Sequence, residues 1–320
     1  MLTSDKLVLA APLAGVSDTV FRKWARRFGA NIVFTGMVSA EGIRRRDEKS
    51  LSLLYYEEDE HPVGAQLFDS SPEAIAEASK IVEAMGFDFI DINLGCPARK
   101  VISRGAGASL LREPDKAVNL VKAARDVVDI PVSAKIRTGW ENTDLSYREI
   151  VPRLSEIGVD FITVHPRSRN EMFSGHSNWD IIKETVALSD VPIVGNGDIY
   201  CGEDALRLID LTGCSSVMIG RGSLGNPWIF SKVAAALAGE DIPKEPSEDE
   251  RIEVCAEYVS DLISYYGERR GVRISRKHVA WFTRGLPGCK AIRIAVFSAE
   301  SADEIYRALG LRKVFSYANT

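Results

Sequence analysis

The sequence predicts an α/β protein, a (β/α)8 TIM barrel followed by a C-terminal all-α helical domain, and three observations point there. Eight short β-branched runs recur through the first two thirds of the 320 residues, their starts 24 to 42 residues apart, room for one crossover helix each. The runs are near-continuously apolar, as strands buried on both faces of a parallel sheet must be. A polar stretch with two prolines, residues 238–247, then ends the pattern, and beyond it the periodicity is helical without a strand signal.

The elements follow in order. Run 6–13 leads into Ala11-Pro12-Leu13-Ala14-Gly15, a tight small-residue loop over which a planar ring could lie. Run 31–36 is second. The third, 62–68, carries Gln66, and Ser70-Ser71-Pro72-Glu73 after it supplies a cap, a first-turn proline and an early acid for a helix. That helix repeats Ile75, Ala78, Ile81, Val82 and Met85 at three-to-four spacing. Run 89–95 contains Asp91 and Asn93 and hands over to Cys96-Pro97. Run 131–137 carries Lys135 and Arg137, and run 161–167 carries His165 and Arg167. The last two, 192–198 and 216–222, end in Gly195-Asn196-Gly197-Asp198 and Gly220-Arg221-Gly222. The expected partition is a barrel over 1–240, a linker at 241–247 and a helical domain over 248–320, with helices at 248–266 and 299–315.

Composition bounds the function. Hydrophobic residues at 45% and charged residues at 27% exclude a disordered or collagen-like chain. No apolar run approaches the roughly 20 residues that cross a bilayer, and the start lacks a basic signal-peptide region, so a soluble, cytoplasmic protein is expected. Cys96, Cys201, Cys214, Cys255 and Cys289 are scattered without a C-x-x-C pair, and the four histidines are dispersed, which argues against a disulfide framework and against a metal site. A monomer is expected.

Net charge is −5, but unevenly placed. Residues 1–240 hold 27 basic and 33 acidic side chains. Residues 267–293 carry eight basic ones (Arg269, Arg270, Arg273, Arg276, Lys277, Arg284, Lys290, Arg293) against Glu268 alone. A local excess of that size on an acidic protein is the footprint of a polyanion surface, with a solvated helix face as the plain alternative.

In such a barrel, catalytic groups project from the C-terminal ends of the strands. Glycine-rich loops after the last two strands suit a phosphate, because bare amides approach an anion closely and Arg221 adds a charge-assisted bond. Lys135 lies mid-strand and needs an anionic or polar partner, since an unpaired buried ammonium is costly. It suits Schiff-base chemistry or an electrostatic role beside an electron-rich cofactor. His165 shares its depth with Lys135 and Gln66. Cys96 sits in a turn rather than a packed strand, with Arg99, Lys100 and Arg104 close behind.

Residues 90–101, Ile-Asp-Ile-Asn-Leu-Gly-Cys-Pro-Ala-Arg-Lys-Val, followed by Gly-Ala-Gly-Ala-Ser-Leu-Leu at 105–111, resemble the signature of the tRNA-dihydrouridine synthases. Similar matches span the chain: Ala11 to Asp18 with Phe21-Arg22, Gln66, Lys135 to Trp140, His165-Pro166-Arg167, Asn196 to Ile199, and Ile219 to Gly222 with Pro227-Trp228. Arg273 to Trp281 resembles the bacterial B-type branch.

The resemblance implies an FMN enzyme that reduces the C5=C6 bond of specific tRNA uridines, with NADPH or NADH as reductant. Carried over, Pro12, Leu13, Ala14 and Gln66 hold the isoalloxazine, Lys135 and His165 contact the flavin, and Asn196, Gly197, Asp198, Gly220 and Arg221 take the ribityl chain and phosphate. Cys96 is the family's catalytic acid and Asn93 lies beside the target base. Arg99, Lys100, Arg167, Arg273, Arg276 and Lys277 are the substrate contacts, the first two directed at RNA phosphates; Arg44-Arg45-Arg46 is a further candidate. Three positions depart from the pattern: Leu13 for a methionine, Thr35-Gly36-Met37 for Ser-Glu-Met, and Pro166 for a glycine. Competing readings are a dihydroorotate-type flavin dehydrogenase, which needs no basic tail, a colourless phosphosugar aldolase using Lys135, and an RNA-binding protein without catalysis.

Overall fold

The computed structural model describes residues 6–311. Its strands are β1 Val8–Ala10, β2 Val33–Phe34, β3 Val38–Ser39, β4 Val63–Phe68, β5 Phe89–Leu94, β6 Val132–Arg137, β7 Phe161–His165, β8 Ile193–Asn196 and β9 Ser216–Ile219. They form one parallel sheet in the order β1-β9-β8-β7-β6-β5-β4-β2. A bridge between Leu9 and Ile32 closes it into a barrel, with Ala10 N–H donating to the Ile32 carbonyl at 2.9 Å. The second of the eight predicted strands is interrupted. β2 and β3 both pair with β4, on either side of Thr35, Gly36 and Met37. The run 6–13 likewise forms a strand only to Ala10, because Pro12 has no N–H for the ladder and the Ser17 hydroxyl accepts from Leu13 N–H at 2.8 Å, curling the chain over.

Period-two alternation sorts the barrel interior by height. Leu9, Ala11, Ile32, Phe34, Phe89, Phe161, Val194 and Met218 form an apolar floor. Phe89 meets Phe34 edge-on at 5.1 Å between centroids and Phe161 at 6.2 Å. Two residues further along each strand the same inner face turns polar, with Asp91 and then Asn93 on β5, Lys135 on β6, Thr163 on β7 and Asn196 on β8. Gly64 makes the floor possible: a Cβ built there would lie 2.1 Å from the Phe89 ring.

Helices cover the outside. Pro72–Ala84 starts where its signals place it, Ser71 Oγ accepting from Ala74 N–H at 3.1 Å. It buries Ala74, Ile75, Ala78 and Val82, whereas Ile81 is half-buried and Met85 exposed at its end, so the stripe is narrower than the spacing suggested.

The described residues divide into two compact units, one of residues 6–221 and 230–242, the other of 222–229 and 243–311. The piece 222–229 therefore groups with the second unit, which a linear partition of the chain does not show. That unit holds the helices Glu248–Tyr266, Glu268–Phe282, Cys289–Ser298 and Ala302–Ala308. Its core packs Val259, Leu262, Ile263, Val272, Val279 and Phe282. Of the helical segment expected at 299–315, residues 312–315 lie outside the described residues.

Gly64→Ala is expected to destabilise the protein by about 1–3 kcal/mol through overpacking against Phe89, read as a fall in Tm of the purified protein; an unchanged Tm would show that the floor yields.

Candidate active site

The C-terminal mouth of the barrel holds two polar networks. Asp91, fully buried, accepts from Ser133 Oγ at 2.7 Å and from Gln66 Nε2 at 2.7 Å. Gln66 Oε1 in turn accepts from Asn93 Nδ2 at 2.8 Å. Asn93 Oδ1 then accepts from the backbone N–H of Cys96 at 2.8 Å and of Gly95 at 3.2 Å, shaping the turn that carries the thiol. On the far side Lys135 Nζ donates to Asn196 Oδ1 at 2.8 Å, and Asn196 Nδ2 donates to the Met218 carbonyl at 2.7 Å. The burial that leaves Lys135 in this layer lowers its pKa to about 8, with Arg137 pushing the same way and Asp91 opposing.

The loops after β7, β8 and β9 converge on Asp198, held in the left-handed region at φ 55°. Its carboxylate accepts from Arg167 at 2.7 Å, from Ser177 N–H at 2.7 Å and from Arg221 at 3.2 Å. Burial works against its ionisation, yet the Arg167 bond and the Ser177 N–H hold the carboxyl below its ordinary value. Gly197 beside it has φ 131°, and a Cβ there would stand 2.5 Å from Ser177 Oγ and 3.0 Å from His165 Cδ2. Only glycine lets this backbone approach the histidine. Gly220 lies 3.7 Å, on the same construction, from the Ala11 Cβ and 3.8 Å from Leu13, so the first and last strand loops meet at one ledge. Pro12 and Leu13 are half-buried there and Ala14 is exposed. A cleft of about 500 Å³ opens alongside, with Phe173, Trp179, Tyr200, Arg207 and Arg221 in its wall.

His165 is neutral. Burial lowers its pKa far below the usual imidazole value, and Lys135, Arg137, Arg167 and Arg221 add repulsion. Arg167 donates to its Nε2 at 3.2 Å; a guanidinium has no acceptor, so the ring proton sits on Nδ1.

Cationic charge at this mouth exceeds anionic charge. Arg137 is lowered to about 10 by burial first and then by Arg167 and Arg221, which face it. Four cations, Lys135, Arg137, Arg167 and Arg221, stand against Asp91, Asp198 and Glu171. Such a cluster, with bare glycines beside it, fits an anion of the size of a phosphate. Among the described residues no group of three or more His, Cys, Asp or Glu converges as metal ligands would.

The thiol of Cys96 is half-buried, and burial raises its pKa against the pull of the Ala98 backbone N–H and the charge of Arg137. Arg99 and Lys100 are exposed on the one-turn helix Arg99–Ile102 that follows.

Several residues singled out from sequence occupy different surroundings from those expected. Arg167 is 1% exposed and donates to the carbonyls of Ser174 and Gly175, to Ser177, His165 and Asp198, so its side chain lies inside the wall of the site. Asn93 is 8% exposed and spends its amide on Gln66 and the Cys96 turn. Arg276 is half-buried and donates to the Ala299 carbonyl at 2.7 Å, while Arg269, Arg270 and Arg273 are exposed on the same helix. Arg44 and Arg45 are both engaged by Glu41, which offsets one of the three charges of that basic triplet. Two residues were under-read: Arg137, whose signal was its place two residues beyond Lys135 on the same strand face, and Asp91, which the signature contains but whose burial no spacing reveals.

The dihydrouridine synthase family model matches residues 8–315. The chain belongs to that family. A probable tRNA-dihydrouridine synthase of Rhodobacter capsulatus is 39% identical, covering 88% of this chain and 87% of its own length. The tRNA-dihydrouridine synthase B of Pasteurella multocida is 36% identical over 87% of this chain and 84% of its own. In fold, the chain is similar to morphinone reductase, with a TM-score of 0.52 at 13% identity over 76% of this chain and 88% of that one.

Within this dihydrouridine synthase family chain, part of the signature is scaffold. Phe21 and Arg22 are buried, and Arg22 forms an ion pair with Glu60 while donating to the Ser17 carbonyl at 2.8 Å, directly beneath the loop of Pro12 to Ala14.

Two outcomes are expected here. Alkylation of Cys96 by iodoacetamide, followed by peptide mass, should reach half its maximal rate above the ordinary thiol midpoint of ~8.5, because the raised pKa keeps the proton on sulfur; a midpoint below that value would contradict the burial argument. Arg167→Ala takes one of its three donors from Asp198 and leaves the Ser174 and Gly175 carbonyls and Ser177 Oγ without theirs, and should cost about 3–5 kcal/mol, seen as a lower Tm and faster proteolysis between residues 171 and 177.

Proposed function

We propose that this chain is a flavin-dependent tRNA-dihydrouridine synthase, an oxidoreductase that reduces the C5=C6 bond of uridine in tRNA with FMN as cofactor and NADPH as reductant. The observation that carries the reading is a protonated thiol on an Asn93-shaped turn at the rim of a cation-rich barrel mouth, in a chain of this family.

The cation cluster and glycine loops are suited to FMN. Asn196, Gly197, Asp198, Gly220 and Arg221 would hold its ribityl chain and phosphate, and Pro12, Leu13, Ala14, Gln66, Lys135 and His165 its ring system. Bound there, FMN supplies hydride to C6 of the uracil. Lys135 keeps a positive charge beside the ring, anchored by Asn196. Neutral His165 offers an Nδ1–H donor without adding charge. Arg167 acts from inside the wall, fixing the Asp198 loop.

Hydride addition at C6 places negative charge on C5 and the C4 carbonyl, and Cys96 donates the proton that C5 requires. A thiol suits this because it is protonated at neutral pH and because burial outweighs the depression by Arg137. Asn93 keeps the thiol at the rim by holding the turn. Arg99 and Lys100, exposed just beyond, are positioned on the chain to meet RNA phosphates.

A uracil within folded RNA must be extruded to reach such a mouth, at a cost of a few kcal/mol, so backbone contacts have to hold the RNA meanwhile. The exposed Arg269, Arg270, Arg273, Arg284, Lys290 and Arg293 of the helical unit suit that role, with Lys277 stacked over Trp281 at 5.9 Å. No helix among the described residues is long and apolar enough to cross a membrane, which accords with action on tRNA in the cytoplasm.

The test reduces the purified protein with NADPH under anaerobic conditions, then mixes it with unmodified tRNA, free uridine or orotate. Reoxidation by tRNA alone is expected, slowed about 10²- to 10⁴-fold in Cys96→Ala with the flavin band retained. Rapid reoxidation by orotate would instead make it a dehydrogenase of free pyrimidines, and colourless protein that takes up no FMN would overturn the flavin reading.

A further inference from the structure

We infer that Asp91 is a positioning residue: acting through Gln66 and Asn93, it fixes which end of each buried amide faces which neighbour and so holds both the Gln66 side chain and the Cys96 turn in register. The inference rests on the proposed function only for the ligand that Gln66 meets, namely the flavin.

The argument is one of donor and acceptor parity. Asp91 sits on the inner face of β5, between its register partners Gln66 on β4 and Ser133 on β6. Burial raises its carboxyl to about 6 while the bonds from Gln66 and Ser133 and the charge of Lys135 pull it down, which leaves it ionised at neutral pH. An ionised carboxylate only accepts. The NH2 end of Gln66 must therefore face Asp91, at 2.7 Å, and its oxygen must face the other way. That oxygen meets the Asn93 amide at 2.8 Å, so Asn93 too has its NH2 end committed. What remains of Asn93 is its oxygen, and it is this oxygen that takes the N–H groups of Gly95 and Cys96. Turning any one amide over sets donor against donor or oxygen against oxygen at the next link, in a layer where water does not substitute. A single buried negative charge thus dictates an orientation three links away, at the turn of the reacting thiol.

The same parity gives a test that does not depend on catalysis. Asn93→Asp alone puts a second carboxylate oxygen against Gln66 Oε1, and Gln66 has no way to turn without setting that oxygen against Asp91. Asp91→Asn alone preserves the chain, since the new amide presents its oxygen to Gln66 and its NH2 to Ser133. The double variant Asp91→Asn/Asn93→Asp allows the chain to run backwards: position 91 donates to Gln66 Oε1, Gln66 Nε2 donates to position 93, and the turn at Cys96 keeps its acceptor. It also conserves the one negative charge of the chain.

The experiment measures Tm of the full-length wild-type, single and double variants, with and without FMN, and FMN affinity by fluorescence titration. Asn93→Asp should lose roughly 5 °C or more, and adding Asp91→Asn should restore most of that loss, although position 91 and position 93 share no bond. FMN affinity of the restored double variant should stay about tenfold below wild type, because Gln66 now shows the opposite end of its amide to the ring, a deficit that a purely structural role would not leave. A double variant no more stable than Asn93→Asp, or one that fails to fold, overturns the parity chain. Restored Tm with wild-type FMN affinity overturns the positioning role. Absence of FMN binding by the wild type itself would instead count against the proposed function, while the Tm comparison still decides the chain.

Discussion

The Asp198 carboxylate is the interaction on which the mouth of this barrel depends. Arg167, Arg221 and the Ser177 N–H all close on it, and it is the carboxylate shared by two of three guanidinium ions that repel one another. Without it, the buried Arg167 would lose its anionic partner and meet the exposed Arg221 uncompensated, a cost of several kcal/mol. With it, Arg167 can extend inward and gather the carbonyls of Ser174 and Gly175, which ties the loop after β7 to the loop after β8. One carboxylate does not neutralise the cluster. The residual positive charge is what suits the site to an anionic ligand, so the compensation is sufficient for folding and incomplete by design of the charge count.

Height within the barrel separates stability from chemistry. The aromatic floor of Phe34, Phe89 and Phe161 is dry and close-packed, and the first polar layer above it, Asp91 with Gln66 and Ser133, inherits the low dielectric of that floor. This is why a carboxyl, a lysine and a histidine within two layers are all displaced from their ordinary pKa values by burial. The displacements run in opposite directions for acid and base, as desolvation requires, and they leave Asp91 and Lys135 as oppositely charged neighbours while His165 stays neutral.

Much of this was legible in the sequence, and the reasons are local. Period-two apolar runs and Gly-rich turns name the strands and the loops after them, and helix starts such as Ser71-Pro72 carry their own cap. What was not legible depends on contacts between distant segments. The break of the second strand at Thr35 to Met37 follows from pairing of both halves with β4. Arg167 reads from the sequence as a substrate contact at the end of a strand, and only the fold brings residues 174–177 and Asp198 around it. Arg276, inside a basic helix, turns to the Ala299 carbonyl for the same kind of reason. The family signature itself mixes roles, since Arg22 serves Glu60 and Ser17 while Cys96 faces the mouth; a motif records which residues recur together, not which of them touch a ligand.

The proposed function asks the chain to attract a polyanion and also to keep an acid protonated, and the two conflict, because every cation drawn near a thiol favours its thiolate. The structure resolves it by commitment and by depth. Arg137, the one side chain that lowers the Cys96 pKa, has its guanidinium bonded to the Ser168 carbonyl at 2.7 Å and stacked over Phe173 at 5.3 Å, and burial of the thiol more than offsets its pull. Lys135 is tethered to Asn196. The cations that the proposed function assigns to RNA are exposed, on the short helix beyond Cys96 and on the helical unit, where solvent and salt screen them within about 10 Å. In that reading, RNA binding changes with ionic strength while the protonation of Cys96 does not follow it. The thiol keeps its proton beside these cations because its environment is set by burial, which salt does not reach.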